Sequence, residues 1–184
     1  MIIRGFVLIM PKVSDKQIQI DETKVIDQLR ENSNKSINEI AEKLGFSRQK
    51  VWRIVKKLEK ENTIWGYGAV IDEEKLGLEY YILLLKKNVT PVKSETIKNI
   101  TDREIEGYIK KLGCDMISSL YTHGYYDWII VFTAPNTIQA KKVSELFLNR
   151  YHEFLNEVKM LETIFPAKIK GKVNPNIKDL KELF

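Results

Sequence analysis

The chain has 184 residues, of which 43% are hydrophobic and 30% charged, and its formal net charge is +5. This composition supports a folded core, and the length suits one large domain or two small ones. Cys114 is the single cysteine, and His123 and His152 are the two histidines. An intramolecular disulfide and a Cys/His zinc cluster are therefore excluded, and we expect neither a metal site nor a cofactor.

Residues 1–20 are predicted to be an N-terminal extension. The apolar stretch within it, Met1–Met10, is far shorter than the roughly 20 residues that a membrane span needs. It also lacks a small-residue cleavage site, which argues against a signal peptide. Two alternatives remain for this stretch: a short β-strand, or sequence upstream of a true start at Met10. Because no other run is long and apolar enough to span a bilayer, we expect a cytoplasmic protein.

Between residues 21 and 63 the apolar residues recur every three or four positions, which predicts three short amphipathic helices. The three sets are Val25, Ile26 and Leu29; Ile37, Ile40, Ala41 and Leu44; and Val51, Ile54, Val55 and Leu58.

The ends of these helices are predicted from polar residues and glycine. Asp21, Ser36 and Ser47 each precede an apolar set, where a side-chain oxygen can cap the first turn. Ser36 and Glu39 have the spacing of a capping box, and Gly45 suits the end of the second helix. Only two residues separate that helix from the Ser47 cap of the third, so the two helices must cross at a large angle. Residues 21–63 are therefore predicted to form a helix-turn-helix.

Strand patterns begin after the third helix. We predict a hinge strand or linker over residues 64–77, in which Ile64–Ile71 is either an extended strand or a hinge. Residues 78–166 then alternate in the order β, α, β, β, α, β, and residues 167–184 form a basic tail. The predicted strands are 78–87, 117–121, 126–134 and 158–165, and the predicted helices are 94–112, with a break near Thr101–Asp102, and 137–155. This order predicts an α+β, ferredoxin-like domain, a four-stranded antiparallel sheet with helices on one face.

The third helix concentrates the positive charge of the chain. Ser47–Lys60 contains six basic residues and one acidic residue, a net +5 that equals the charge of the whole chain. Long cations can neutralise DNA phosphates, and Arg, Lys and Gln near the N-terminus of such a helix can contact base edges in the major groove. Trp52 either packs on a thymine methyl or sugar, or packs under the hinge. The residues that we predict to contact double-stranded DNA are Ser36, Ser47, Arg48, Gln49, Lys50, Trp52, Arg53, Lys56 and Lys57.

The stretch from Asp21 to Gly77 resembles the Lrp/AsnC (feast/famine) family of transcriptional regulators. The resemblance lies in INEIAEKLG at Ile37–Gly45, in Ser47, Val51 and Arg53, and in the segment that follows the third helix. A second, shorter stretch, HGYYD at His123–Asp127, is similar to a Gly-x-Tyr-Asp turn of the family. It implies a winged-type helix-turn-helix joined by a hinge to a ferredoxin-like RAM domain. It also implies a homodimer formed through the sheet, with possible assembly into octamers.

The resemblance further implies that Gly124, Tyr126 and Asp127 bind a small effector, commonly an amino acid, between protomers. A carboxylate at Asp127 suits an ammonium group, and a glycine turn offers backbone N–H groups to a carboxylate. The alternatives are that Asp127 is only a turn residue and that Gly124 is required for a positive φ.

Two other functions compete with a sequence-specific, DNA-binding regulator. The first is an enzyme on the same architecture, similar to the sirohaem decarboxylases, and the second is an effector-sensing module that does not bind DNA. His123 is the only histidine near the predicted turn, and the sequence contains neither paired carboxylates nor the spacing of a nucleophile and its base. We therefore expect a transcriptional regulator that is not an enzyme.

Overall fold

The computed structural model of the chain describes residues 14–184. The two alternatives for Met1–Met10 fall outside these residues. The chain divides into two compact units, the first ending at Ala69 and the second spanning Val70–Phe184. The division lies within the segment 64–77 that the sequence predicted to be a hinge. None of the helices in residues 14–184 is long and apolar enough to cross a membrane.

The first unit consists of three helices. They are α1 (Asp15–Glu31), α2 (Ile37–Leu44) and α3 (Arg48–Lys60). One buried residue of α1, two of α2 and two of α3 form its core: Val25, Ile40, Ala41, Val51 and Val55. All five belong to the predicted apolar sets, because helical periodicity places them on the faces that turn toward one another.

The helix ends predicted around α2 are confirmed. The Ser36 hydroxyl accepts a hydrogen bond from the backbone N–H of Glu39, and the Glu39 carboxylate accepts one from the N–H of Ser36. Gly45 ends α2 at φ 66°, in the left-handed region that favours glycine. The Ser47 hydroxyl accepts from the N–H of Lys50 at 3.2 Å and so caps α3.

The predicted cap at Asp21 is wrong. The first helix begins at Asp15, and its N-cap is Ser14, whose hydroxyl accepts from the N–H of Gln17 at 3.3 Å. Asp21 lies inside the helix and is only 4% exposed. Its side chain has hydrogen-bond partners away from the backbone, so it does not interrupt the helix. Residues 15–20, which were assigned to the extension, therefore belong to α1.

Of the two alternatives for Ile64–Ile71, the extended strand is not formed. These residues have no regular secondary structure, and Trp65 is 95% exposed. A β-strand requires a neighbouring segment with which to exchange backbone hydrogen bonds, and within residues 14–184 no segment pairs with this one. A short 3₁₀ helix, Glu73–Leu76, follows and ends at Gly77 with φ 71°.

The second unit contains a four-stranded antiparallel sheet with the strand order β2-β3-β1-β4. Its strands are β1 (Glu79–Lys87), β2 (Asp115–Tyr121), β3 (Trp128–Ala134) and β4 (Leu155–Glu162). Its helices are α4 (Ser94–Thr101), α5 (Glu104–Lys111) and α6 (Thr137–Tyr151). The break predicted near Thr101–Asp102 is confirmed, and the α+β, ferredoxin-like prediction is correct.

One face of this sheet forms the core with the helices. Leu83 of β1 and Ile130 of β3 are fully buried in one cluster with Ile109 of α5 and with Val143 and Phe147 of α6. Because side chains alternate along a strand, the residues between the buried ones lie on the opposite face. The helices that contribute to this core cluster lie on the first face.

Residues 167–184, the predicted basic tail, contain short elements of secondary structure. A small hairpin pairs β5 (Lys168–Ile169) with β6 (Lys172–Val173), and a 3₁₀ helix spans Ile177–Leu183.

Candidate DNA-binding surface and effector loop

The N-terminal half of α3 presents a continuous exposed surface. Arg48, Gln49, Trp52 and Arg53 are all exposed, because the core-facing positions of this helix are held by Val51, Val55 and Leu58. Trp52 is 53% exposed. The structure therefore favours the interpretation in which this indole is available to a ligand over the one in which it packs under the hinge.

The cations of α3 differ in their partners. Among the residues that the structure describes, Arg48, Arg53 and Lys60 make no ion pair. The Lys56 ammonium is 2.7 Å from Glu59, and the Lys57 ammonium is 2.7 Å from Glu22 of α1.

The Lys56 and Lys57 pairs lie at the surface. Hydrogen bonding to Glu22 raises the pKa of Lys57, and hydrogen bonding from Lys56 and then Tyr67 lowers the pKa of Glu59. Water and dissolved ions screen pairs of this kind, so each contributes little to stability. Both ammonium groups are exposed and can reach DNA phosphates, although Glu22, the partner of Lys57, is only 15% exposed.

Lys50 has a different environment. Its ammonium is 2.6 Å from Oδ2 of the buried Asp21 and 3.9 Å from the centroid of the Phe46 ring. Gln17 donates to Oδ1 of Asp21 at 2.9 Å. The hydrogen bond from Lys50 lowers the pKa of the Asp21 carboxyl despite the opposing effect of burial. Sequence patterns did not predict this pair, because its two residues are far apart in the chain and both are usually exposed.

Ser36 and Ser47 lie at the N-termini of α2 and α3, where the positive ends of the helix dipoles favour anions. Each hydroxyl oxygen accepts a capping hydrogen bond. The hydroxyl protons are still able to donate to a phosphate oxygen.

The loop between β2 and β3 contains the predicted effector residues Gly124, Tyr126 and Asp127. Oδ2 of Asp127 accepts from the backbone N–H of Lys87 at 2.8 Å, and the N–H of Asp127 donates to the carbonyl of Leu85 at 2.9 Å. Asp127 therefore joins the loop to the end of β1. Its Oδ1 accepts no hydrogen bond from residues 14–184.

The alternative interpretation of Gly124 is wrong. Its φ is not positive, and a Cβ atom built there would meet no atom within 4 Å. The backbone conformation of Gly124 is therefore open to other residues, since the glycine is needed neither for a left-handed turn nor for close packing within the chain.

Two lysines of the neighbouring strands, Lys86 and Lys159, lie near this loop, and sequence analysis did not predict them. The Lys86 ammonium is 4.0 Å from Oδ2 of Asp127 and 4.8 Å from the centroid of the Tyr125 ring. Lys159 lies beside Glu157 and Tyr126, which raise its pKa. Strand alternation places Lys86 on the face opposite the core, but only the pairing of β1 with β4 brings it opposite Glu157.

The sheet face away from the helices is apolar at its centre. Ile82 pairs with Val131 and Leu161, and Leu84 pairs with Ile129. Leu120 of β2 lies opposite Ile129 and is 53% exposed. We call these six residues the open sheet face: Ile82, Leu84, Leu120, Ile129, Val131 and Leu161.

Within residues 14–184, no group of three or more His, Cys, Asp or Glu side chains has the arrangement of a metal site. His123 lies exposed in the loop between β2 and β3.

Comparisons with known proteins agree with this architecture. Residues 21–64 match the family model described as winged helix-turn-helix DNA-binding. An uncharacterized HTH-type transcriptional regulator of Pyrococcus furiosus is 32% identical over 148 residues, which cover 80% of this chain and 91% of that protein.

Solved structures share the fold of most of the chain. The crystal structure of PH0061, which is a protein of Pyrococcus horikoshii, has a TM-score of 0.66 at 24% identity and covers 87% of this chain and 98% of that one. A feast or famine regulatory protein of M. tuberculosis, complexed with L-methionine, has a TM-score of 0.65 at 14% identity, with coverages of 84% and 98%.

Proposed function

This chain belongs to the Lrp/AsnC family of HTH-type transcriptional regulators, and we propose that it recognises specific DNA sequences with α3. The observation that carries the proposal is the exposed row Arg48, Gln49, Trp52 and Arg53 on the helix that follows the turn. In a helix-turn-helix, the N-terminal part of this second helix enters the major groove.

In the proposed complex the exposed row contacts base edges. Arg48 and Arg53 have no carboxylate partner among the described residues, so their guanidinium groups can bond guanine O6 and N7 without breaking an ion pair. Gln49 can make the corresponding bidentate pair with adenine. Trp52 offers an apolar surface to a thymine methyl group or a sugar.

The remaining contacts of the proposed interface are with phosphates. Lys56 and Lys57 would exchange their carboxylate partners, Glu59 and Glu22, for the DNA backbone. Ser36 and Ser47 would donate from the N-termini of α2 and α3. These contacts position the protein on the duplex and supply affinity that is independent of sequence.

We also propose that the protein acts as a homodimer that forms through the open sheet face. The apolar residues Ile82, Leu84, Ile129 and Val131 form the centre of that face. A second copy would cover them and remove apolar area from water, which is favourable. Two α3 helices, one from each protomer, could then bind successive major grooves. The larger state that this proposal allows is an octamer of four such dimers, which a measurement of the mass in solution would detect.

The loop between β2 and β3 is our proposed effector site, with an amino acid as ligand. The open Oδ1 of Asp127 suits an ammonium group, and Lys86 beside it suits a carboxylate. Gly124 leaves the loop backbone unobstructed. The L-methionine complex of the M. tuberculosis regulator supports an amino acid as the class of ligand to test first.

The proposed role needs access to DNA and no chemistry, so we place the protein in the cytoplasm and assign it no catalytic activity. His123, the histidine near the predicted turn, lies exposed on the loop between β2 and β3.

The DNA-binding proposal is tested by selecting duplexes from a random pool with the wild-type protein and then measuring affinity by gel shift at matched salt. Arg48→Ala and Arg53→Ala should each weaken binding to the selected duplex by about 1–3 kcal/mol, because each removes a base-contacting guanidinium. The circular dichroism spectrum should not change, since both side chains are exposed.

Lys142→Ala is the matched control, since Lys142 is exposed on α6 and lies outside the proposed interface. It should leave the affinity unchanged. Wild-type affinity in both arginine variants would contradict the assignment of α3 as the recognition helix.

A further inference from the structure

We propose that Lys50 is not a DNA ligand but a positioning residue, whose ion pair with buried Asp21 holds the N-terminal turn of α3 in the orientation needed for sequence recognition. This inference rests on the proposed function, because it concerns how the same helix reaches its DNA. It also revises the sequence-based expectation that Lys50 contacts DNA together with its neighbours.

The first observation is that the Lys50 side chain joins three parts of the first unit. Its ammonium is 2.6 Å from Oδ2 of Asp21 on α1, and it lies 3.9 Å above the ring of Phe46, which belongs to the turn between α2 and α3. Gln17 donates to the other oxygen of Asp21 at 2.9 Å. The side chain therefore ties the start of α3 both to the first helix and to the turn.

The second observation is a contrast between carboxylates: the partner of Lys50 is buried, whereas the partner of Lys56 is partly exposed. Asp21 is 4% exposed, and its pKa is lowered chiefly by the hydrogen bond from Lys50. If Lys50 moved to a phosphate, it would leave a buried carboxylate without its ion-pair partner, which is strongly unfavourable. Lys56 pairs with Glu59 in contact with water, and that carboxylate can be rehydrated when the lysine leaves.

The third observation is the position of Lys50 within α3. It is the third residue of the helix, and its backbone N–H donates to the Ser47 cap. The proposed base-contacting residues Arg48 and Gln49 precede it directly. A rotation or shift of this first turn would displace both side chains relative to the base edges, so the ion pair acts where recognition is most sensitive to position.

The experiment compares Lys50→Met and Asp21→Asn with the control Lys56→Met. Fluorescence anisotropy gives the affinity for a duplex selected by the wild-type protein and for a scrambled duplex of the same length, each over a series of salt concentrations. The ratio of the two affinities measures specificity. The slope of log affinity against log salt for the scrambled duplex counts phosphate contacts, at about 0.9 per contact.

We expect both variants of the pair to lower the specificity ratio by tenfold or more. Lys50→Met should leave the slope for the scrambled duplex unchanged, whereas Lys56→Met should reduce it by about 0.9 and keep the ratio. The result for Asp21→Asn is the most informative. If only electrostatics mattered, removing this negative charge beside the interface would strengthen DNA binding, whereas loss of the ion pair should lower the specificity ratio.

Two results would overturn the inference. One is a slope reduced by about 0.9 in Lys50→Met with the specificity ratio retained, which would make Lys50 a phosphate ligand. The other is tighter binding of Asp21→Asn to both duplexes, which would mean that Asp21 only withholds Lys50 from DNA.

If a single variant loses helical circular dichroism, the double variant Asp21→Leu Lys50→Met replaces it, because an apolar pair of similar volume can substitute for a buried ion pair without loss of stability. An unchanged slope in the double variant supports the inference, and a reduction by about 0.9 overturns it. Failure of the proposed function has a different signature, because the wild-type protein itself would then select no duplex.

Discussion

Asp127 combines a structural and a proposed ligand-binding role in one carboxylate. Oδ2 accepts from the backbone N–H of Lys87, while Oδ1 accepts no hydrogen bond from the described part of the chain. An amide oxygen can replace the first role but cannot supply the negative charge that an ammonium group needs. Asp127→Asn should therefore keep the melting temperature of the protein and lose the stabilisation by an amino-acid effector.

The measurement is a thermal-shift assay of wild type and Asp127→Asn against the L-amino acids, beginning with L-methionine, because a ligand that binds only the folded state raises the melting temperature. Asp115→Asn is the control, since Asp115 is an exposed carboxylate at the start of β2, away from the loop. Equal shifts in wild type and Asp127→Asn would contradict the role of Asp127. The absence of any shift in the wild type would contradict the effector itself.

The helix-turn-helix depends on the abrupt end of α2 at Gly45. With φ at 66°, a side chain at this position strains the backbone, although a Cβ would meet no atom within 4 Å. Gly45→Ala should therefore destabilise the first unit by about 1 kcal/mol through backbone strain alone. Hydrogen–deuterium exchange of α3 peptides should become roughly fivefold faster, since local opening reports this free energy.

Gly68→Ala is the matched control in the same unit. Gly68 does not have a positive φ, and a Cβ there also meets nothing within 4 Å. Exchange of the α3 peptides should not change in this variant. Equal effects of the two substitutions would show that the end of α2 does not depend on a left-handed residue.

The association of whole molecules is proposed to depend on the open sheet face. Leu84 lies at its centre, between Ile129 of β3 and Lys159 of β4. Leu84→Glu would place a charge in the middle of the proposed interface, where it would lose its hydration. Size exclusion with light scattering should give the mass of two or more chains for the wild type and of one chain for this variant.

Leu148→Glu is the control for that measurement, because Leu148 is 40% exposed on α6, which packs on the other face of the sheet. It should keep the wild-type mass. If the Leu84→Glu variant has the wild-type mass, dimerisation through this face is contradicted.

Local patterns were sufficient for much of the fold. The capping box at Ser36, the left-handed end at Gly45 and the apolar sets of α2 and α3 all depend on residues a few positions apart, and each is confirmed. The prediction of a cap at Asp21 was wrong because the partner of its carboxylate, Lys50, is remote in sequence. The strand alternative for Ile64–Ile71 was wrong, because residues with the pattern of a β-strand form one only where a neighbouring segment pairs with them.

By itself the sequence determined the two-part architecture, the helix-turn-helix and the family, because periodicity, caps and turn residues act over short distances along the chain. The net charge of +5 and its concentration on α3 were also evident from the sequence. Only the tertiary structure decided which of those cations is available. It pairs Lys50 with a buried carboxylate, gives Lys56 and Lys57 partners while their ammonium groups stay exposed, and leaves Arg48 and Arg53 without a carboxylate among the described residues. Ion pairs between helices depend on how the helices pack, and that arrangement is set by contacts between residues far apart in the chain.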